Sequence, residues 1–176
     1  MDSFDLLSLV HAHIFSVVGA APSMGYIAIV LLIVLGVAAA IDGQTGRVPD
    51  NILIMGAALS LFANVLLESP VFAAHRLGYA LGTLFLLWAL NELYYKIRKR
   101  DGFGFGDAKW TALAVMAFGV KPALYAWIVG SWLALLWIGV RRFVPQKEPA
   151  FSEDKGGAVF FLPFLYFGLL AGICFG

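Results

Sequence analysis

Long apolar segments, separated by short polar connections, make up most of the chain. Five of them approach or exceed the length needed to cross a bilayer, and a sixth is shorter. They cover 24–41, 51–67, 71–95, 122–140 and 157–175, with the shorter one at 108–120. A membrane-spanning helix needs about 20 predominantly apolar residues. The pattern therefore predicts an all-α, polytopic membrane protein with about six transmembrane helices.

The first 22 residues follow this pattern less clearly. They begin with acidic residues and include His11 and His13 within an apolar stretch. This composition predicts either an interfacial helix or an extra N-terminal helix, so that seven spans is the alternative count. No basic residue precedes the stretch, unlike in a secretory signal peptide. No linker or repeat divides residues 1–176, which we interpret as a single membrane-embedded domain.

Composition supports the membrane assignment and limits the chemistry. The chain is 61% hydrophobic and only 13% charged, whereas soluble domains carry about 25% charged residues. The single cysteine, Cys174, excludes a disulfide framework and a multi-cysteine zinc site. We expect no metal, no cofactor and no nucleic-acid partner.

Basic residues predict the orientation. Among the 12 lysines and arginines, only Arg76 and Lys121 lie outside the connections that follow the first, third and fifth spans. By the positive-inside rule those three connections face the cytoplasm.

Two aspartates stand at the edges of apolar segments. Asp42 ends the first span and Asp107 begins the fourth. An even number of crossings separates them, so both belong to one membrane face, the cytoplasmic one in this orientation. Carboxylates at membrane depth are costly and usually functional.

Paired carboxylates predict acid–base chemistry. Like charges held close cannot both ionise, so one group can take a proton from water while the other polarises a carbonyl. From Asp107 to Lys121 the helix spans only about 22 Å, against a hydrocarbon core of about 30 Å. The glycines at 102, 104 and 106 would then lie at a water-accessible pocket, where they allow close approach of a substrate strand.

Several neighbouring residues keep two interpretations each. Lys109 either orients Asp107 or extends to the headgroups. Asp50, after Pro49, is predicted to cap the second span rather than to act as a third catalytic acid. A small ion- or proton-coupled transporter is the alternative function, because intramembrane carboxylates also relay protons. A non-catalytic subunit of a pilus or secretion machine is the third.

Two motifs resemble those of a known family. Gly104-Phe-Gly106-Asp107-Ala-Lys109 is similar to the Gly-x-Gly-Asp signature of intramembrane aspartyl proteases, in the version found in type IV prepilin peptidases. Asp42 followed by Arg47-Val-Pro-Asp-Asn51 resembles the first motif of that family. The segment 161–165 resembles its late Pro-Phe-Gly-Pro-Phe element only in part, because no Gly-Pro pair follows.

The resemblance implies an enzyme, a prepilin peptidase that acts as an aspartic endopeptidase in the inner (plasma) membrane, with its active site facing the cytoplasm. Its substrate would be a prepilin or pseudopilin with a short basic leader, and its further partners a pilus or type II secretion machinery. The paired Cys-x-x-Cys motifs of longer members, which bind zinc and accompany methyl transfer, have no counterpart here. We therefore expect a short form without methyltransferase activity, or methylation by another protein. The implied catalytic pair is Asp42 and Asp107, and the implied site-shaping residues are Pro49, Asp50, Gly104, Gly106 and Lys109.

Overall fold

A computed structural model describes residues 24–99, 104–143 and 161–175. These ranges contain six α-helices and no strand, which confirms the all-α prediction. The helices are α1 (Met24–Thr45), α2 (Asp50–Ala63), α3 (Pro70–Arg98), α4 (Phe105–Phe118), α5 (Val120–Phe143) and α6 (Leu162–Phe175). A π-helical turn, Asn64–Glu68, continues α2. The alternative seventh span, at residues 1–22, lies outside the described residues.

Four of these helices are long and apolar enough to cross a membrane. They are α1, α2 with its π-helical turn, α3 and α5. Helices α4 and α6 have 14 residues each, which is about 21 Å of helix. The prediction that the fourth segment is too short to cross a typical bilayer is therefore confirmed, and within the described residues the sixth is equally short.

The short helix α4 occupies the centre of the bundle. It contacts α1, α2, α3, α5 and α6, and it is buried around its whole circumference. A helix that is apolar on all sides is typical of such a position. The Trp110 indole N–H donates to the carbonyl of Leu35 at 3.1 Å, which joins α4 to α1. Protein rather than lipid therefore surrounds α4. For this reason the length of α4 does not have to match the thickness of the bilayer.

Local sequence fixes the ends of the helices next to α4. Gly46 adopts a positive φ of 66° and donates its N–H to the carbonyl of Asp42 at 2.8 Å, which ends α1. Ser69 caps α3 by accepting the N–H of Phe72 at 3.1 Å. At the end of α4, Gly119 has a φ of 95°, and Arg76 donates to the nearby Val115 carbonyl at 3.4 Å.

Helices α5 and α6 pack backbone to backbone through glycines. A Cβ on Gly168 would lie 2.5 Å from the carbonyl oxygen of Ala126 and 2.9 Å from the nitrogen of Gly130. A Cβ on Gly130 would lie 2.9 Å from the carbonyl oxygen of Phe164. Small residues at such positions let membrane helices approach closely. The position of α6 is therefore set by α5.

We expect Gly168→Ala to lower the thermal stability of the protein in detergent by about 1–3 kcal/mol. The added methyl group meets backbone atoms, which cannot move aside without separating α5 from α6. Gly139→Ala on α5 is the matched control, because a Cβ there meets nothing within 4 Å. Equal melting temperatures for the two variants would contradict the glycine-dependent packing.

Candidate active site

Asp42 lies in the last turn of α1 and is largely buried, at 9% exposure. Its carboxylate accepts a hydrogen bond from the backbone N–H of Leu162, the first residue of α6. The start of a helix carries free N–H groups and partial positive charge, which suit an anion. Sequence reasoning missed this donor, because a backbone N–H leaves no side-chain signal. The proline at the second position of α6, Pro163, was the available sign of a helix start.

Asp107 lies in the first turn of α4 and is 8% exposed. Its Oδ2 accepts the N–H of Gly104 at 3.2 Å, and its own N–H donates to the Gly104 carbonyl at 3.0 Å. The Asp107 side chain thus makes one half of a capping box, and the Gly104 carbonyl takes the place of the N-cap side chain that glycine lacks. The carboxylate is therefore fixed against the N-terminus of α4.

The structure brings Asp42 and Asp107 together. The end of α1 and the start of α4 lie at the same end of the bundle, and the charges of the two carboxyl groups act directly on each other. Both carboxyl groups are buried, at 9% and 8% exposure. That the two aspartates act as a catalytic pair stays a prediction.

Asp50 and Lys109 form an ion pair between the start of α2 and the start of α4. The Lys109 Nζ lies 2.7 Å from the Asp50 Oδ1 and 5.0 Å from the ring centroid of Phe105. The prediction that Asp50 caps the second span is wrong, because Pro49 occupies the N-cap position and no side chain caps this helix. The Asp50 carboxylate reaches across to α4 instead. Since both side chains are partly exposed, the pair contributes less than about 1 kcal/mol, and its effect is to tie the start of α2 to the start of α4.

The two described glycines of the signature differ in their packing. A Cβ on Gly106 would lie 3.0 Å from the Cβ of Val48 and would collide with its Cγ2, so the connection after α1 rests directly on the first turn of α4. A Cβ on Gly104 would lie 3.5 Å from the Asp107 Oδ2, an ordinary contact. Gly104 also has an extended backbone, with φ of −71°, which any residue adopts. Gly106 therefore has a steric requirement that Gly104 lacks, and Gly102 lies outside the described residues.

An apolar cavity of about 480 Å³ lies between α2, α3 and α4. It is on the side of α4 away from Asp107, because Lys109, at its rim, is two residues further on and points about 200° around the helix. Asp50 and Lys109 mark one end of it, and Leu61 and Met116 the other. The pocket predicted at the glycine-rich turn is not this cavity and stays a prediction.

The family model described as "Type IV leader peptidase family" matches residues 29–139. The chain belongs to the type IV leader peptidase family. A comparison with curated proteins finds no match, and a comparison with solved structures finds none either. The match covers Asp42, Asp107 and the Asp50–Lys109 pair, and it identifies the protein as a member of a family of peptidases. It ends before α6, whose first N–H binds Asp42.

Among the residues that the structure describes, no group of three or more His, Cys, Asp or Glu side chains is placed to hold a metal ion. His11 and His13, the weak candidates of the sequence, lie outside the described residues. The expectation that the protein uses no metal stays a prediction, tested below.

We expect Gly106→Ala to destabilise the protein by about 1–3 kcal/mol, because the new methyl group overlaps Val48. Adding Val48→Ala should restore part of the loss, since it removes the atoms in conflict. Thermal unfolding in detergent of the single and double variants measures this coupling. Gly104→Ala is the matched control and should be close to neutral. If the losses of stability of Gly106→Ala and Val48→Ala simply add in the double variant, the contact between Gly106 and Val48 is contradicted.

Proposed function

We propose that the protein is a membrane-embedded aspartic endopeptidase that removes the short basic leader of a type IV prepilin or pseudopilin. The observation that carries the proposal is the pair of buried carboxylates, Asp42 and Asp107, whose charges interact at one end of the helix bundle. Membership of the type IV leader peptidase family supports the reaction class.

In peptide hydrolysis, one of Asp42 and Asp107 would act as the general base and the other as the general acid. The ionised carboxylate takes a proton from a water molecule, whose oxygen attacks the scissile carbonyl carbon. The protonated carboxyl group donates its proton to the carbonyl oxygen as charge develops there. Collapse of the tetrahedral intermediate then breaks the C–N bond, with proton transfer to the leaving amine. Since each carboxylate accepts one backbone N–H, each has a partner that stabilises its ionised form.

The charge distribution around the pair supports a cytoplasmic active site. Arg47 follows α1, and Lys96, Arg98 and Lys99 stand at the end of α3 that adjoins the start of α4. Basic residues concentrate on the cytoplasmic side of membrane proteins. We therefore propose a multi-pass protein of the inner (plasma) membrane that receives the leader of its substrate from the cytoplasm. A pilus or type II secretion machinery would be the system that uses the product.

We expect Asp42→Asn and Asp107→Asn each to lower the rate of prepilin cleavage in detergent by about 10²–10⁴-fold or more, because each removes one half of the acid–base pair. The size shift of the substrate on a gel measures the reaction. Glu92→Gln is the matched control, because its exposed carboxylate lies 3.9 Å from Lys96 on the same helix. It should leave the rate unchanged.

Normal cleavage by either aspartate variant would overturn the assignment of the pair. Proton-coupled solute uptake in proteoliposomes, with no prepilin cleavage by the wild-type protein, would instead favour the transporter alternative.

We expect EDTA to leave the cleavage rate unchanged, because the two carboxyl groups supply both the general base and the general acid. The measurement is the rate of prepilin cleavage before and after dialysis against the chelator. Loss of activity that added zinc restores would contradict a two-aspartate mechanism.

A further inference from the structure

A buried hydrogen-bond chain leads from Asp107 to α5. The Thr111 hydroxyl, on a side chain that is 2% exposed, donates to the backbone carbonyl of Asp107 at 2.7 Å. The same hydroxyl accepts the indole N–H of Trp127 at 3.1 Å. These two hydrogen bonds connect Trp127 to the first turn of α4, the turn that carries the Asp107 carboxylate.

The ring of Trp127 also reaches the other half of the pair. It packs against Phe161 with ring centroids 5.4 Å apart and planes inclined by 59°. Phe161 stands immediately before α6, and its carbonyl accepts the N–H groups of Phe164 and Leu165 at 3.0 and 3.1 Å. The next residue, Leu162, donates its N–H to Asp42. The Trp127 indole is therefore in contact with the residue that precedes Leu162, whose N–H binds Asp42.

We propose that Trp127 is a positioning residue that sets the separation of Asp42 and Asp107. Its N–H acts on α4 through Thr111, and its ring acts on the start of α6 through Phe161. The consequence for catalysis rests on the proposed function, whereas the separation of the two carboxyl groups can be measured without it.

Helix α5 is a suitable frame for this role. Trp127 follows Ala126 and lies one turn before Gly130, and both of those residues touch the backbone of α6. The helix cannot shift at this point without moving α6 as well. Because reacting groups must be placed to within about 1 Å for full activity, a small change at the indole should be visible in the rate.

The first experiment measures the separation of positions 42 and 107 through cysteines placed there. Asp42→Cys and Asp107→Cys are combined in a Cys174→Ser background, and the pair is treated with bifunctional methanethiosulfonates of increasing length. Adding Trp127→Phe, which keeps an aromatic ring but removes the N–H, should lower the cross-linking yield of the shortest reagent relative to longer ones. Trp132→Phe is the matched control, since Trp132 lies on the same helix and is 66% exposed. A length profile that Trp127→Phe leaves unchanged would overturn the inference.

The second experiment measures catalysis in the otherwise native protein. Trp127→Phe and Thr111→Val should each lower kcat for prepilin cleavage by about 10-fold while KM changes little, with rates normalised to folded protein. The double variant should lose no more than either single variant, because both remove the same hydrogen bond. Thr111→Ser keeps the hydroxyl and should restore kcat.

Fully additive losses, a loss confined to KM, or a Thr111→Ser variant as slow as Thr111→Val would overturn the positioning role. If the wild-type protein cleaved no prepilin, the proposed function would fail, and the cross-linking profile would still decide the inference by itself.

Discussion

Two carboxyl groups held close together at the end of a membrane bundle need backbone donors, and the two short helices supply them. Asp107 lies in the first turn of α4, where the Gly104 N–H reaches it, and Asp42 accepts the N–H that begins α6. A helix can bring its N-terminus to such a pair only if it starts there. Both helices start at this end of the bundle, α4 at Phe105 and α6 at Leu162, which places their first N–H groups there.

A helix that starts inside a membrane bundle constrains its surroundings. Free polar groups at a helix end cannot face lipid, and they are tolerated only within protein or at a wet cavity. This accounts for the burial of α4 by neighbours on every side, and for the glycines through which α6 lies directly on α5. The long helices α1, α2, α3 and α5 are thus both the membrane anchor and the enclosure for the two helices that hold the site.

The features that the sequence predicted correctly depend on local composition or on the number of helices between two residues. Apolar length predicted the helices, and an even number of crossings placed Asp42 and Asp107 at one end. The capping role expected for Asp50 failed because a cap is a local preference, whereas the Lys109 ammonium offers a tertiary partner at 2.7 Å. The different requirements at Gly104 and Gly106 depend on Val48, which is distant in sequence. The link from Trp127 to Thr111 depends on how α5 packs against α4, which no local pattern encodes.

The first turn of α6 leaves a single backbone N–H available to Asp42. Of its first four backbone N–H positions, Pro163 has none, and those of Phe164 and Leu165 bind the Phe161 carbonyl. The N–H of Leu162 remains, and it is the one that binds Asp42. What this segment supplies to Asp42 is a helix start with one free donor. Because the donor is the backbone N–H of Leu162 and Pro163 offers none, the contact of α6 with Asp42 depends on where the helix starts and not on the side chain of Leu162.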